Sequence, residues 1–440
     1  MNIDRDKFTF IDLFAGIGGF HQALVTYNGE CVAASEINKD SIDVYKKNFP
    51  GVEIIGDITK EWDRLPKFDV LCGGFPCQPF SKAGNQQGFE DKTSGNLFYS
   101  IIKILKVHSE CKFIILENVK NLADKNENWD VIRNELKALN FYITEEPLIL
   151  SPTQFGIPQF RERVYILGIR KDIRDEKKLK NGFIHMEDLG DFNDLPKSKN
   201  GCMRGDANKI LEREYPNFCK LSFKEKRILD VWLEFKQITQ FDKPQVPLWL
   251  DFFGYNISED KFDSMKFHHI IKKEDGKQMR TSMRISEMPK WKQKFIRKNR
   301  KFYLKHKKNI DEWINKYDML NQPLVYKKFE WNCLAHEDIV DYNNTIIQFR
   351  QSGIRVKVNN YFPTLVAINN TPIVFDEVNN TLRKISPREA ANLQSFKRDF
   401  KLPENQTNIY KQLGNAVNVE IVEKVFEKLS GFAIKNWRNS

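Results

Sequence analysis

Residues 68–81 of this 440-residue chain, FDVLCGGFPCQPFS, combine a short strand with a stiff turn. Phe68–Cys72 is an apolar run bounded by proline and glycine, which is typical of a buried strand. Cys77 follows between two prolines, whose rings restrict the backbone and disfavour a helix. Because an open α/β sheet binds its ligands just beyond the ends of its strands, the Cys77 thiol is predicted to lie in a ligand-binding turn.

Cys77 is the candidate nucleophile of this turn. A thiolate attacks electron-poor carbon, and it needs neighbours that lower its pKa or protonate its target. A lone cysteine is more often a small buried residue of the core. The adjacent Gly73-Gly74 pair and the polar side chains of Gln78 and Ser81 favour the functional interpretation over core packing.

Strands and helices alternate in the first part of the chain. Phe8–Phe14 predicts a buried first strand, and Ala15–Phe20 (AGIGGF) predicts a glycine-rich turn that opens a helix close to a ligand. The spacing is not G-x-G-x-x-G, so a nicotinamide dinucleotide is not indicated. A second strand, Cys31–Ser35, ends in Glu36, about 20 residues after Gly16, where a ribose-binding carboxylate falls in such folds.

Asp57 offers another carboxylate at a strand end, after the short apolar run Val52–Ile55. Taken singly, an acid in such a place is more often a helix cap or a surface charge. Because Glu36 and Asp57 come in order along βαβ units, the pair predicts a nucleoside pocket.

Two further segments carry candidate site residues. The predicted buried strand Lys112–Leu116 delivers Glu117 at its end, pointing into the same crevice as Cys77 if the two strands are neighbours. The alternative is that Glu117 caps a following helix. Arg161 and Arg163 alternate along an extended segment and therefore lie on one face. Pairing with acids of the fold and binding of a base or phosphates both remain open for these arginines.

Composition limits the class of protein. A chain of 440 residues with 41% hydrophobic content buries a substantial core, in two domains or in one with a large insertion. No apolar run has the length of a membrane helix. The 7 cysteines are odd in number and form no CxxC pair, and the histidines lack zinc-like spacing. We therefore expect no disulfide framework, no metal site and a reducing, cytoplasmic location.

The net charge of +11 and the pI near 9.0 favour a polyanionic partner. The charge is concentrated in residues 290–308 (KWKQKFIRKNRKFYLKHKK), which contain many Lys and Arg, no acid and interleaved aromatic residues. Contact with phosphates is preferred for this stretch. The alternative is a solvated helix face with its aromatic residues turned inward.

The alternation of strands and helices is lost between about residue 171 and residue 350, which predicts an inserted domain. Beyond it, Ser386–Glu389 (SPRE) has the capping signature of a helix start. Tyr410–Val417 is predicted to open the last helix, which would extend to about Leu429. Gly414-Asn415 before that helix predicts backbone that a ligand can approach.

In their order, these pieces closely resemble the DNA (cytosine-5) methyltransferases of bacterial restriction–modification systems. The resemblance rests on FIDLFAGIGGF, GFPCQPFS, ENV, QFRER, SPREAANLQSF and GNAV, and covers residues 8–168 and roughly 350–425. It implies an α/β fold: a Rossmann-like S-adenosylmethionine-dependent methyltransferase domain with a second, smaller target-recognition domain. Residues 1–175, completed by 405–440, would be the catalytic and cofactor-binding domain, and 176–404 the target-recognition domain and hinge.

The resemblance also implies site residues. The catalytic residues would be Cys77, Glu117, Arg161 and Arg163. The S-adenosylmethionine pocket would be formed by Phe14, Gly16, Ile17, Gly18, Glu36, Ile37, Asp57, Ile58, Pro76, Leu97, Asn415 and Val417. DNA would be contacted by Gln78, Ser81, Thr364 and Leu365. Ala83 departs from the polar residue that some relatives have two positions after the loop serine.

The implied reaction is methyl transfer to C5 of a flipped-out cytosine in a specific double-stranded DNA sequence. Cys77 would add to C6, and the methylation would protect host DNA from a cognate restriction endonuclease. A monomer without metal or membrane attachment is expected. Methylation of tRNA is the runner-up, because the tRNA-methylating relatives share this core; the long basic insert favours DNA. A non-catalytic DNA-binding protein or an oxidoreductase would leave the combination of Cys77, Glu117 and Arg161 unexplained.

Overall fold

The computed structural model describes residues 7–76, 95–124, 126–173, 183–185, 189–190, 192, 207–240, 242, 246–272, 278–333, 339–351, 353–365, 371–433 and 437. The strands in this part of the chain are β1 (Phe8–Leu13), β2 (Gly29–Ser35), β3 (Ile54–Ile55), β4 (Val70–Gly74), β5 (Phe113–Val119), β6 (Phe141–Ile143), β7 (Leu148–Leu150), β8 (Gln159–Phe160), β9 (Arg163–Arg170), β10 (Leu248–Trp249), β11 (Lys266–Lys272), β12 (Gln278–Arg284), β13 (Lys328–Asn332), β14 (Thr345–Arg350), β15 (Gly353–Val358), β16 (Phe362–Pro363), β17 (Ile373–Asp376) and β18 (Thr381–Lys384).

The helices in the described part of the chain are α1 (Gly19–Val25), α2 (Lys39–Asn48), α3 (Ile58–Glu61), α4 (Gly95–Val107), α5 (Asn126–Ala138), α6 (Phe223–Ile238), α7 (Glu259–Phe262), α8 (Lys290–Lys305), α9 (Lys307–Lys316), α10 (Pro387–Leu393), α11 (Gln406–Asn415) and α12 (Val419–Ser430). Short 3₁₀ turns lie at Trp62–Arg64, Lys120–Leu122, Pro152–Phe155, Lys171–Ile173, Ala207–Ile210, Asn217–Cys219, Leu250–Phe252, Ile285–Glu287, Met319–Asn321 and Leu324–Tyr326.

The chain divides into two compact units. The first unit comprises Met1–Glu212, Asn360–Asn369 and Pro387–Ser440, and the second comprises Arg213–Asn359 and Asn370–Ser386. The second unit begins and ends inside the range 176–404 that was predicted for the target-recognition domain and hinge. The reason is visible at Glu212, whose backbone N–H donates to Glu389 at 2.7 Å and whose side chain accepts from Asn392 at 3.0 Å, so that this segment packs with α10.

The first unit is built on a sheet with the order β3-β2-β1-β4-β5-β9-β6, and β7 also pairs with β9. β1 to β5 run parallel, whereas β6, β7 and β9 pair antiparallel. Because β1 lies between β2 and β4, the order of strand addition reverses there, which is where such sheets open a ligand crevice. The predicted α/β class, with a second and smaller unit, is confirmed.

The core explains why these strands form. Phe113–Leu116 of β5 are completely buried, as expected for a strand covered on both faces of a parallel sheet. Phe98 and Ile101 of α4 and Ile132 of α5 join the same apolar cluster. Each such side chain stabilises the fold by roughly 1.5–3 kcal/mol on full burial.

Two predicted elements have different bounds. β5 continues to Val119, so Glu117 lies within the strand and does not cap a helix. The prediction that Tyr410–Val417 opens the last helix is wrong, because Gly414-Asn415 ends α11 and the last helix, α12, begins at Val419. Asn418 caps α12 by accepting a hydrogen bond from the backbone N–H of Ile421 at 3.1 Å. Asn418 is a preferred N-cap residue, and its position in the sequence was the signal that α12 begins at Val419.

The second unit contains a sheet with the order β10-β13-β15-β14-β17-β18. One side of this sheet packs against α6, α8 and α9 around the fully buried Trp232 and Trp313. A smaller apolar cluster, which includes Phe267 and Ile285, lies beside the β11–β12 hairpin. The second unit therefore has an apolar core of its own.

The described cysteines are Cys31, Cys72, Cys111, Cys219 and Cys333, and all of them are buried free thiols. Within the same described ranges, no three His, Cys, Asp or Glu side chains are grouped so as to hold a metal ion. Helices long and apolar enough to cross a bilayer are likewise absent from the described part of the chain.

Candidate active site

The glycine-rich turn after β1 lies at the edge of the sheet where the order of strands reverses. Phe14, Gly16 and Gly18 all have positive φ, at 55°, 56° and 90°. A Cβ on Gly18 would come within 2.3 Å of the Phe49 ring, whereas one on Gly16 would meet nothing within 4 Å. Gly18 is thus required for packing, and the backbone at Gly16 is open to an approaching ligand.

Glu36 lies directly opposite this turn at the end of β2. One carboxylate oxygen accepts the backbone N–H of Gly16 at 2.9 Å, and the other accepts those of Ile37 and Asn38, both at 2.8 Å. The side chain of Ile37 is 73% exposed. Because each carboxylate oxygen has two acceptor sites, the fixed Glu36 retains capacity for ribose hydroxyls, beside an exposed apolar surface.

Asp57 has an immediate structural role as the N-cap of α3. It accepts from the Thr59 hydroxyl at 2.7 Å and from the Thr59 backbone N–H at 3.1 Å. The hydrogen bond from the Thr59 hydroxyl lowers the pKa of Asp57. The neighbouring Ile58 and the predicted pocket residue Ile17 have buried side chains, so their backbone is what a ligand could reach.

Asp12 was not among the site residues predicted from the sequence. An acid inside the apolar run FIDLF was the signal that could have identified it. It is completely buried in β1, two residues before the turn, and its oxygens have no partner of regular hydrogen-bond geometry. Burial raises the pKa of Asp12 well above its usual value, the charge of Glu36 acts in the same direction, and the backbone N–H of His21 opposes them. Burial in β1 therefore disfavours the charged form of Asp12.

Glu117 is brought to the end of β4 by sheet register. It pairs with Gly74 across β4 and β5, and one carboxylate oxygen lies 3.6 Å from where a Cβ of Gly74 would be. The neighbouring Asn118 donates to the carbonyl oxygen of Phe75 at 3.1 Å. This hydrogen bond connects the end of β5 with the segment that leads to Pro76. The side chain of Pro76 is exposed.

Three of the predicted site residues, Cys77, Gln78 and Ser81, lie outside the described residues, as does Ala83. Pro76, in the segment that follows β4, is the last described residue before them. The roles assigned to these three side chains therefore stay predictions.

Arg163 is the partner of Glu117. Its Nε lies 3.0 Å from Glu117 Oε1, and the two side chains are only 16% and 10% exposed. Arg163 opens β9, which runs antiparallel to β5, and its Nη1 also donates to the carbonyl oxygen of Glu162 at 2.8 Å. The contact with Glu117 is an ion pair without regular hydrogen-bond geometry at Oε1.

Arg161 has different partners. Its Nη1 and Nη2 donate to the carbonyl oxygens of Gly414 at 2.9 Å and Ala416 at 3.0 Å, and its side chain is buried. Its backbone N–H donates to Ser151 Oγ at 3.1 Å. Ser151 belongs to the S-x-x-Q capping box of the 3₁₀ turn that follows β7, a signature readable in the sequence SPTQ. Arg161 therefore fixes the backbone around Asn415.

The segment after α11 lies at the same edge of the sheet. Val417 is buried, and a Cβ on Gly19 would come within 2.7 Å of its side chain, while one on Gly74 would lie 3.8 Å away. Asn415 is exposed beside it, and Leu97 is half-buried in α4. The segment after α11 thus lies against Gly19, beside the glycine-rich turn, and against Gly74 at the end of β4.

Thr364 and Leu365, the other predicted DNA-contacting residues, lie just after β16. β16 pairs with β8, and Thr364 Oγ1 donates to the carbonyl oxygen of Phe160 at 2.9 Å. Leu365 is buried. Both residues belong to the first unit, and Thr364 contacts the residue that precedes Arg161.

The basic stretch 290–308 forms α8 and the start of α9 in the second unit. Phe302 and Tyr303 are buried, which agrees with the inward-facing alternative, but Trp291 is 68% exposed. Arg300 is also buried and donates to the carbonyl oxygens of Phe253 at 2.6 Å and Gly254 at 2.9 Å. One arginine of the stretch therefore serves the fold, and the exposed cations are the ones that a polyanion could reach.

Comparison with known proteins gives a consistent result. The family of C-5 cytosine-specific DNA methylases matches residues 8–431. The type II methyltransferase M.AluI of Cellulosimicrobium cellulans is 30% identical over 96% of this chain and 92% of its own length. M.BanI of Aneurinibacillus aneurinilyticus is 30% identical over 96% of each chain. M.HpaII of Haemophilus parainfluenzae is 46% identical, but over only 38% of this chain and 47% of its own.

Among solved structures, the Dnmt2 methyltransferase of S. pombe superimposes with a TM-score of 0.50. It is 18% identical, and the match covers 97% of this chain and 99% of that one. At this identity the likeness concerns the fold alone.

Proposed function

The chain belongs to the family of C-5 cytosine-specific DNA methylases, and with that membership as the premise we propose how its residues carry out the reaction. The protein is a DNA (cytosine-5)-methyltransferase, which transfers a methyl group to C5 of a cytosine in double-stranded DNA. The observation that best supports the proposal for the site is the Glu117–Arg163 pair, 3.0 Å apart, beside the end of β4 from which Cys77 follows.

We propose that S-adenosylmethionine binds at the ends of β1 and β2. Bound there, it supplies an electrophilic methyl group on a sulfonium. The open backbone at Gly16, the fixed carboxylate of Glu36 and the exposed Ile37 fit a nucleoside with its ribose hydroxyls and its flat base. Asn415 and Val417 would close the pocket from the chain terminus. The remaining residues of the proposed pocket are Phe14, Ile17, Gly18, Asp57, Ile58, Pro76 and Leu97.

Cys77 is proposed to add through its thiolate to C6 of a cytosine that has been flipped out of the duplex. Formation of the S–C6 bond breaks the C5–C6 double bond and leaves an enamine at C4–C5. C5 of this enamine would take the methyl group as the methyl–sulfur bond of the sulfonium breaks and leaves a thioether. Loss of the C5 proton and expulsion of the Cys77 thiolate then restore the aromatic ring. Glu117 would hydrogen-bond the N3 and exocyclic amine edge and stabilise the charge that develops at N3.

The two arginines are proposed to act differently. Arg163 lies against Glu117 and would hold that carboxyl group and contact the O2 side of the base. Arg161 donates to the carbonyl oxygens on both sides of Asn415, so it would act as a positioning residue for the cofactor-pocket backbone. The contacts in the structure thus favour Arg163 over Arg161 for the O2 contact.

DNA recognition is proposed for the second unit, and Gln78, Ser81, Thr364 and Leu365 of the first unit would contact the target strand or its backbone. The sequence-specific methylation would protect host DNA from a cognate restriction endonuclease, in the cytoplasm and as a monomer. The type II names of the relatives support DNA as substrate. Methylation of tRNA is the weaker alternative.

A direct comparison of substrates tests the proposal. Purified protein is incubated with methyl-labelled S-adenosylmethionine and either unmethylated bacterial genomic DNA or total tRNA. We expect label in DNA, at cytosine C5 of one sequence by bisulfite sequencing, and background label in tRNA. Label confined to tRNA, or spread over DNA without sequence preference, would contradict the proposal.

A further inference from the structure

On the side of the second unit's six-stranded sheet that faces away from its helices, polar side chains lie beside the buried Ile346 and Val374. Side chains alternate along each strand, so Phe329, Ile354 and Ile347 enter the core. Their neighbours on the opposite side include Glu330 of β13, which pairs with Arg355 of β15. On the other side of β15, Gln348 of β14 also pairs with Arg355. Polar groups from three adjacent strands therefore meet around one arginine.

Positive charge on this side exceeds negative charge. Glu330, only 7% exposed, forms ion pairs with Lys328, with Arg355 Nε at 2.7 Å and with Arg350 Nη1 at 3.4 Å. Lys357 lies two residues beyond Arg355, and burial, with the adjacent Arg355 charge, lowers the pKa of Lys357 to about 8. Three cations thus share one carboxylate, Lys357 adds a fourth basic group beside Arg355, and this cluster attracts an electron-rich partner.

Another carboxylate on the same side of the sheet is already engaged. Asp376 of β17 accepts from Tyr215 at 2.6 Å and from Asn379 at 2.8 Å. It is therefore held by its own neighbours, and Glu330 remains the carboxylate that orients Arg355.

Arg355 is held so that its binding edge is free. Its Nε is occupied by Glu330, and among the described residues nothing accepts a hydrogen bond from its terminal Nη1 and Nη2. The side chain is 37% exposed. A guanidinium fixed in this way presents two parallel donors in a rigid plane, which match either two oxygens of a phosphate or the O6 and N7 acceptors of guanine.

We propose that Arg355, oriented by Glu330, reads a guanine of the DNA target through its major-groove edge. The proposal rests on DNA being the substrate. Guanine is favoured over phosphate because Glu330 would repel a phosphate at this distance, whereas a base edge carries no net charge. A phosphate contact also does not require a guanidinium held in one orientation, because a flexible lysine can make it. Lys328, Arg350 and Lys357 supply positive potential around the contact.

The first test compares methylation patterns. Wild type, Arg355→Gln, Arg355→Lys and the control Arg227→Gln are expressed in a host without cytosine methylation, and 5-methylcytosine is mapped. Arg227 is an exposed arginine on α6 of the same unit. We expect wild type and control to share one sequence, and both Arg355 variants to accept other bases at a single guanine position. Variants that keep the full guanine requirement overturn the inference.

The second test removes the acceptor from the DNA. In duplexes of the mapped target, each guanine is replaced in turn by 7-deazaguanine, which lacks N7. Wild-type affinity should fall roughly 10- to 150-fold at one position, as for loss of one hydrogen bond from a charged donor. Arg355→Lys should bind the native and the substituted duplex equally at that position. This variant retains the positive charge, so the test can be made even if Arg355→Gln does not fold. Equal sensitivity of Arg355→Lys and wild type at every position overturns the inference.

Failure of this inference and failure of the proposed function give different results. A wild-type protein that methylates no DNA contradicts the proposed function itself. A wild-type protein that methylates one DNA sequence, with Arg355 variants that lose affinity uniformly for all sequences, places Arg355 on a phosphate and overturns the inference alone.

Discussion

Glu117 Oε1 and Arg163 Nε lie 3.0 Å apart, joined across the antiparallel strands β5 and β9. Both side chains are largely withdrawn from water, so each charge depends on the other for compensation. The pair stands one strand away from the end of β4. A carboxyl group held in this way is placed before a base arrives, which is the condition for electrostatic stabilisation of a developing charge.

Replacing Arg163 with Ala is expected to lower kcat by roughly 100- to 1,000-fold, as for loss of one preorganised donor in an active site. Binding of S-adenosylmethionine should change less than twofold, since Arg163 is not part of the proposed pocket. Single-turnover methylation and calorimetry measure the two quantities. The control is Lys120→Ala, which breaks the more exposed Lys120–Glu162 pair at 2.9 Å and should leave kcat unchanged. A kcat near that of wild type in Arg163→Ala would remove the residue from the mechanism.

Replacing Glu36 with Ala should weaken S-adenosylmethionine binding by about 1–3 kcal/mol, the range for hydrogen bonds to a charged group. The loss includes the anchoring of the Gly16 backbone, whose N–H donates to Glu36 at 2.9 Å. Calorimetry with S-adenosylmethionine measures it. Glu30→Ala, at a half-exposed acid of β2 that pairs with Lys7, is the matched control and should bind normally. Unchanged affinity in Glu36→Ala would mean that the carboxylate serves only the fold.

Changing Lys290, Lys294 and Lys301 to Gln should weaken DNA binding and flatten its salt dependence. These lysines are exposed on α8, unlike the buried Arg300. Each lost phosphate contact lowers the slope of log affinity against log salt by roughly one unit. The control changes Lys224, Lys226 and Arg227 of α6, which removes the same charge from another helix. Equal slopes in the two triple variants would show that α8 is a solvated helix without contact to DNA.

His21 should make the first unit sensitive to acid. Burial lowers its pKa from the usual 6.5 to about 4. The ring accepts or donates one hydrogen bond with the Tyr45 hydroxyl at 2.7 Å and stacks on Phe49. Since the unfolded chain binds this proton first, stability is full above pH 6.5 and falls by about 3 kcal/mol as the pH drops to 4.

Urea unfolding of wild type and His21→Gln at pH 7.0, 5.5 and 4.5 isolates this contribution. Carboxylates titrate in both proteins and cancel in the difference. The stability difference between the two proteins should shrink as the pH falls. A difference that is constant over this range would show that His21 does not take up a proton on unfolding.

The sequence predicted what depends on local pattern. Apolar runs located β1, β2 and β5, and the residues after them, Gly16, Glu36 and Glu117, lie at one edge of the sheet because parallel strands end there together. Glu117 proved to lie inside β5, since antiparallel pairing with β9 extends the strand past its apolar part.

What could not be predicted depends on contacts between distant segments. Alternation placed Arg161 and Arg163 on one face, but Arg161 lies before β9 and reaches the carbonyl oxygens of Gly414 and Ala416, far along the chain. No periodicity carries that information. The arrangement around Arg355 likewise follows from the register of β13, β14 and β15, which no local pattern in the sequence indicates.

The central claim is that Cys77 bonds covalently to cytosine, and trapping with 5-fluorocytosine tests it most directly. A target duplex containing 5-fluorocytosine is incubated with the protein and S-adenosylmethionine and then run on a denaturing gel. After Cys77 has added and the methyl group has moved, release requires loss of the C5 proton, and fluorine cannot leave as a cation. We predict a protein–DNA band that requires S-adenosylmethionine and is absent for Cys77→Ser. A band of equal strength with Cys77→Ser, or no band with active wild-type protein, would contradict the account.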